Sequence, residues 1–540
     1  MTLFLLLFVF SSFLMWKTFQ VTPEGDLKLA SRVWSDFAAT IPLIRSFSFG
    51  SNFPPEYPIF AGPPIRYHFL FFAAVGLLEK TGIRLDLALN SLSTISFFLL
   101  TIAIYYLGKM VFKSKKVGIL SVILFLFNGS WGFLEFFKKN PISLNILDDI
   151  VKNREFSSFG PYDGKIVSAF WSLNIFTNQR HLGLAYAAFL FLMLFLYRYS
   201  KKPRKLTLNK ICILGIILGL FPFIHMAVFG MMGIAILVAF LIFPKIRINI
   251  FALGCIALIL AIPQFLYMGE SEVQTSLIRL GYLLEDKTFI GFLKYWLMNF
   301  GFTLILAPIG FVIAKKPQKK IALPFLALFV AGNIFQFSPE VAANHKFFNL
   351  FIIGANLFTA YFLFRLWKLK SLNKVVKTLL LLPLLLLLTL TGLIDFFPIV
   401  NDSLLVLKDH RNNPTISFIL NNTPKDSVFL NSSYLYHPAS LAGRKIFMGW
   451  PYFSWSAGYD TDKRGKELDR IYTSNEKEKV CYLLKKNNID YFTIQDTSRD
   501  RDFTKINVVF FNNNFTPIYK DLAGAISIFE VKTNCTTTHL

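Results

Sequence analysis

Acidic residues and cysteines are both scarce in this chain. Its 540 residues include 32 Asp and Glu against 56 Lys and Arg, a formal net charge of +24, and only 4 Cys. A basic excess of that size invites a nucleic-acid reading. The basic residues, however, sit in short clusters between apolar runs, which is how cytoplasmic loops of membrane proteins look. The cysteines form no motif. Cys212 and Cys255 fall in apolar runs, and Cys481 and Cys535 fall in the C-terminal tail, where pairing stays open. No Cys/His spacing matches a zinc site, so no metal ligands are assigned. There is no internal repeat, and no low-complexity tract apart from a Leu-rich run near 379–390. The first apolar segment lacks a basic leader and a small-x-small cleavage site, so it reads as a retained anchor rather than a signal peptide.

Hydrophobic residues make up 54% of the chain, with 62 Phe. Repeated apolar runs of roughly 20 residues imply a polytopic α-helical membrane protein. Spans are expected near 3–20, 88–110, 117–135, 181–198, 210–226, 227–243, 250–267, 293–314, 321–337, 347–367 and 377–397, about eleven in all. The basic clusters then all fall on one side, which predicts a cytoplasmic N-terminus and an external C-terminus. Residues 67–82 are apolar but short, and are expected to form an external, membrane-lying or re-entrant helix. The domain reading is a transmembrane domain over 1–399, with an external first loop at 21–87, and an external α/β domain over 400–540. In that tail, SVFLN, RKIFMGW, DYFTIQD, INVVFF and AISIFEV alternate as strands do, with a helix near 475–487.

Three longer external segments and one short one hold the candidates. In the first, Asp36 opens a pattern that places Phe37, Ile41, Ile44 and Phe47 on one helical side before Gly50. Asp36 is either a functional acid or, with Ser35, a helix cap. Farther on, Pro63-Pro64-Ile65-Arg66-Tyr67-His68 leads into an apolar run. Arg66 and His68 suit a phosphate, since guanidinium matches its oxygens in a fork. Interfacial anchoring by Arg66 and Tyr67 is the alternative. The second segment, 136–180, carries Asp148, Asp149, Asp163 and Trp171. It ends in Arg180-His181, at the external mouth of a span. His345-Lys346 repeats that arrangement and His225 lies near another external end, so cationic or hydrogen-bonding groups gather on one face. Glu270 and Glu272 read as metal ligands, acceptor-orienting groups or loop solvation. Trp450 and Trp455 read as sugar-stacking or core aromatics.

At these residues the chain resembles the GT-C superfamily of integral-membrane glycosyltransferases, most nearly the protein-mannosyltransferase and aminoarabinose-transferase branch. Asp36, Gly50 and Pro63-Pro64-Ile65-Arg66-Tyr67-His68-Phe69 fall in that branch's order with comparable spacing. The motif resemblance covers about residues 26–110. Asp36 is followed by Phe37 where many relatives carry an Asp-Glu pair. No WWDYG-like motif occurs, which argues against an oligosaccharyltransferase catalytic subunit. The resemblance implies inverting transfer of a hexosyl or pentosyl group from a polyprenyl-phosphate sugar to an acceptor hydroxyl of a protein, lipid or glycan. Asp36 would be the general base. Arg66, Tyr67, His68, Arg180, His181, His345 and Lys346 would contact substrate. It implies no certain cofactor, leaves a divalent cation open, and implies no nucleic acid. Two rival functions fit the same residues: a transporter or flippase of lipid-linked glycans, and a non-catalytic membrane scaffold.

Overall fold

The computed structural model describes residues 2–158, 165–521 and 526–536, so Asp163 lies outside the described residues. The chain divides into two compact units. One, the helical unit, comprises the residues up to Thr18, Ser91–Gln264 and Thr275–Ser403. The other, the mixed unit, joins Phe19–Asn90, Phe265–Gln274 and the chain from Leu404 onward. The stretch expected as the first external loop therefore shares a unit with the tail.

Every expected span falls on helix, but the helices differ in length and break where the sequence breaks. Among the described residues, six are long and apolar enough to cross a membrane: Leu85–Phe112, Leu182–Lys201, Phe221–Ile242, Pro244–Met268, Val341–Trp367 and Lys374–Val400. A seventh counts if the pair Phe289–Phe300 and Thr303–Ile313, bent by 92°, is one span. The bend comes at Gly301, whose φ of 54° suits a residue without Cβ. Thr2–Thr18 and Leu208–Gly219 are apolar but shorter. The run expected at 117–135 stops as Lys115–Leu126, and Gly132–Lys139 forms a separate short helix. The break expected near 226 comes instead at Leu220, and Phe221–Ile242 is interrupted internally at His225. By these helices the chain is a multi-pass membrane protein.

The helix His345–Trp367 sits at the centre of the helical unit, with almost its whole length buried. Small residues let neighbours approach it closely. A Cβ at Gly310 would stand 2.1 Å from the Phe358 carbonyl oxygen, and one at Gly354 would stand 2.4 Å from the Phe325 ring.

The mixed unit is built on two main sheets. Phe19–Val21, Leu27–Ala30 and Leu404–Leu407 form an antiparallel sheet that stitches the first loop to the start of the tail. The larger sheet runs in the order Lys445–Ile446, Val428–Leu430, Tyr491–Ile494, Ser527–Glu530, Tyr519–Lys520. Its first three strands are parallel and its last two join antiparallel. Tyr491–Ile494 is buried at all four residues, as a central strand covered on both faces must be. The expected tail helix is Lys477–Lys486. INVVFF, expected as a strand, is instead the start of the helix Val508–Asn514. The Asn507 side chain accepts from the Phe510 N–H and caps it. Cys481 and Cys535 are disulfide-bonded, with Cα atoms 5.4 Å apart. The run expected at 67–82 is the eleven-residue helix Leu70–Lys80.

Candidate active site

Asp36 stands in the first turn of the helix Trp34–Ser48, which buries Phe37, Ile41 and Ile44 at helical spacing. The helix ends where Gly50 meets the tail: a Cβ there would lie 2.2 Å from the Gly443 carbonyl oxygen. Neither Ser35 nor Asp36 occupies the cap position of this helix. The cap position is Val33, and no side-chain hydrogen bond closes it. The carboxyl nonetheless sits at the end of the helix whose dipole favours an anion.

Around Asp36 the mixed unit collects phenols. Tyr67 is pushed well above its ordinary range, first by burial and then by the negative charge of Asp36. Tyr57 is pushed up by burial, by Tyr67 and Tyr459, and by Asp36. Tyr436 is raised by burial and then by Asp36, and its hydroxyl donates to the Trp34 carbonyl. The rings of Tyr57 and Tyr67 stack at 5.7 Å, and Tyr67 stacks on His68 at 3.9 Å. Asp36, Tyr67 and His68 thus belong to one aromatic, partly desolvated neighbourhood. Tyr57 and Tyr436 join it without any mark in their own sequence stretches. Tyr436 arrives from 400 residues away, which no local pattern could reveal.

Arg66 is engaged differently. Its guanidinium donates to Glu272 Oε1 at 2.8 Å and to the Gly458 carbonyl at 2.8 Å, and it lies over the Tyr459 ring. The Tyr459 hydroxyl accepts from the Arg66 N–H and donates to the Pro64 carbonyl. Glu272, expected as a metal ligand or solvated loop residue, meets Arg66 and accepts from the Asp460 N–H. The pair ties three stretches of the mixed unit together.

The remaining candidates belong to the helical unit. Arg180 is buried, and its guanidinium donates to the carbonyls of Thr177 and Met15 and to the Thr18 hydroxyl. His181 and His225 face each other with ring centres 5.1 Å apart. His345 stacks on Phe170, and its ring nitrogens meet Asn349 at 3.0 Å and Gln179 at 3.5 Å. Lys346 lies near enough to act electrostatically on all three histidines.

For a divalent cation the mixed unit offers a poor donor set. Glu56 meets Lys445, Glu79 and Asp409 meet Arg45, Asp86 meets Arg84, and Glu272 meets Arg66. Hard cations need several oxygen ligands, and these carboxylates are already matched by side-chain cations.

No protein-family model matches the chain, and no curated protein matches it in sequence. Among solved structures it is similar to the oligosaccharyltransferase of Archaeoglobus fulgidus. Against the apo form the TM-score is 0.48 at 11% identity, over 98% of this chain and 74% of that one. The complex of archaeal oligosaccharyltransferase AglB with an inhibitory peptide and a dolichol-phosphate gives 0.46 at 12% identity, over 99% and 75%. The complex with Zn and sulfate gives 0.45 at 12%, over 99% and 74%. At these values the likeness is one of coarse shape.

Proposed function

We propose that this chain is a membrane glycosyltransferase of GT-C type that takes its sugar from a polyprenyl-phosphate donor. The observation that supports this most is Asp36: an acid in a helix's first turn whose charge acts on the buried Tyr57 and the half-buried Tyr67 and Tyr436. A carboxylate so placed suits proton abstraction. It accepts the proton of an acceptor hydroxyl as the oxygen attacks the anomeric carbon. The bond to the donor phosphate breaks with inversion, and the lipid phosphate leaves with the electron pair. Such general-base help contributes typically ~10²–10⁴-fold.

In the helical unit, Lys346 with His181 and His345 is suited to an anionic lipid headgroup, with Arg180 as an inner positive charge. Tyr67 and His68 are assigned to substrate contact in the mixed unit. Arg66 would serve a phosphate only by leaving Glu272. The N-terminus is assigned to the cytoplasm and the mixed unit to the external face. The sugar is hexosyl or pentosyl, and the acceptor is a protein, lipid or glycan hydroxyl.

The test is sugar release from a panel of radiolabelled polyprenyl-phosphate sugars by purified protein in lipid, with wild type and Asp36→Asn compared. Turnover reduced about 10²-fold or more in the variant, with donor binding kept, is expected. Equal turnover in both would remove Asp36 from the mechanism. No turnover with any donor, with cell-extract acceptors present, would overturn the transferase assignment.

A further inference from the structure

Away from these residues, the helical unit carries an apolar groove of about 370 Å³ between three helices. Leu120 of Lys115–Leu126, Leu363 and Trp367 of His345–Trp367, and Leu381 and Leu385 of Lys374–Val400 line it. A single charged side chain, Lys116, stands at its edge. All three helices present their basic ends here. Residues 109–123 and 361–380 carry four and five Lys or Arg side chains, and not one Asp or Glu. Trp367 is 37% exposed, the position of an interfacial aromatic.

The geometry points to a binding site for an anionic phospholipid, with an acyl chain in the groove and the headgroup phosphate on Lys116 and its basic neighbours. A hydrocarbon wall with an exclusively cationic rim selects a lipid over a soluble anion and an anionic headgroup over a zwitterionic one. The lipid is a phospholipid rather than the proposed sugar donor because of where the groove lies. It opens at the Trp367 end of a 23-residue helix whose other end carries His345 and Lys346. That helix is about 35 Å long, roughly a bilayer's hydrocarbon thickness. The groove therefore serves the leaflet opposite to the histidine cluster. The choice of a phospholipid over the donor rests on the proposed placement of that donor at His345 and Lys346.

The experiment is native mass spectrometry of the purified full chain, mixed with equal amounts of phosphatidylglycerol and phosphatidylcholine. Wild type is expected to retain phosphatidylglycerol preferentially. Lys116→Gln, at an exposed position, is expected to reduce that preference about fivefold, the effect of one lysine near a headgroup. Leu385→Trp, which fills the groove, is expected to lose the bound lipid of either kind. Lys205→Glu, in a different basic cluster, is expected to leave the preference unchanged. Equal retention of the two lipids by wild type would overturn the proposal. So would an unchanged preference in Lys116→Gln, or displacement of phosphatidylglycerol by equimolar polyprenyl phosphate.

Discussion

Arg45 is the side chain whose removal tests the energetics of the mixed unit most directly. It projects from the helix that carries Asp36 and is 2% exposed. Its guanidinium meets Asp409 at 2.6 Å and Glu79 at 3.3 Å, and lies over the Phe49 ring at 4.2 Å. Burial pushes Glu79 up from the ordinary carboxylate range, against the pull of Arg45 and of the Ser48 hydroxyl. Burial works the same way on Asp409, but there the His410 hydrogen bond and the Arg45 charge win and hold it low. Their pH effects in wild type are opposed. The low Asp409 contributes stability present above the usual carboxylate pKa and lost as pH falls through its folded value. The raised Glu79 loses stability as pH climbs from the usual carboxylate pKa to its folded value. Arg45→Met removes the cation and leaves two buried carboxylates facing each other. Breaking a buried pair this way costs about 3–5 kcal/mol. Both acids are then raised, so the loss is greatest at pH 8 and shrinks towards pH 5 as they take up protons. Thermal unfolding in detergent, followed by tryptophan fluorescence, should show a drop of about 10 °C at pH 8. Adding Glu79→Gln and Asp409→Asn should recover most of it. A drop under about 3 °C, or one equal at both pH values, would refute the reasoning.

Burial lowers His437 to about 3, with its ring between Thr493 and the Ala439 N–H. Its depressed pKa makes stability fall as pH drops from about 6.5 towards 3, by up to about 5 kcal/mol. A pH series on His437→Gln should show a shallower slope than wild type. The disulfide Cys481–Cys535 spans a sequence separation of 54. Its removal by a double Ser substitution should cost about 4 kcal/mol in the mixed unit, read as faster proteolysis of the tail. Gly310→Ala forces a methyl against the Phe358 carbonyl, and should cost about 1–3 kcal/mol, read as a lower melting temperature in detergent.

Apolar runs made the helical unit legible, because burial in lipid or protein demands ~20-residue hydrophobic stretches whatever else the chain does. Their interruptions were less so. Gly301 bends one expected span, and the run after Leu126 breaks into loop and a second short helix, since hydropathy averages across such points. In the tail, DYFTIQD contains a central strand, while INVVFF turned helical through a capping Asn that alternation does not register. Asp36 was visible as an acid opening a helical pattern. What separates it from a cap is the non-capping geometry at Val33 and the phenols around it, and one of those, Tyr436, comes from the far end of the chain.

Arg66 shows why residue type alone does not assign a role. A guanidinium next to a Pro-Pro segment suits a phosphate by its fork of donors. The same fork suits a carboxylate and a carbonyl, and here Glu272 and Gly458 supply them. An anionic headgroup would have to displace Glu272, which is 45% exposed, and leave that carboxylate to water. Three histidines lie within reach of the Lys346 charge. Headgroup binding should therefore respond more to Lys346→Gln than to Arg66→Gln, whereas Arg66→Gln should act mainly on the stability of the mixed unit. Donor-lipid binding and melting temperature, measured on both variants, separate the two roles, and the reverse pattern would return the phosphate to Arg66.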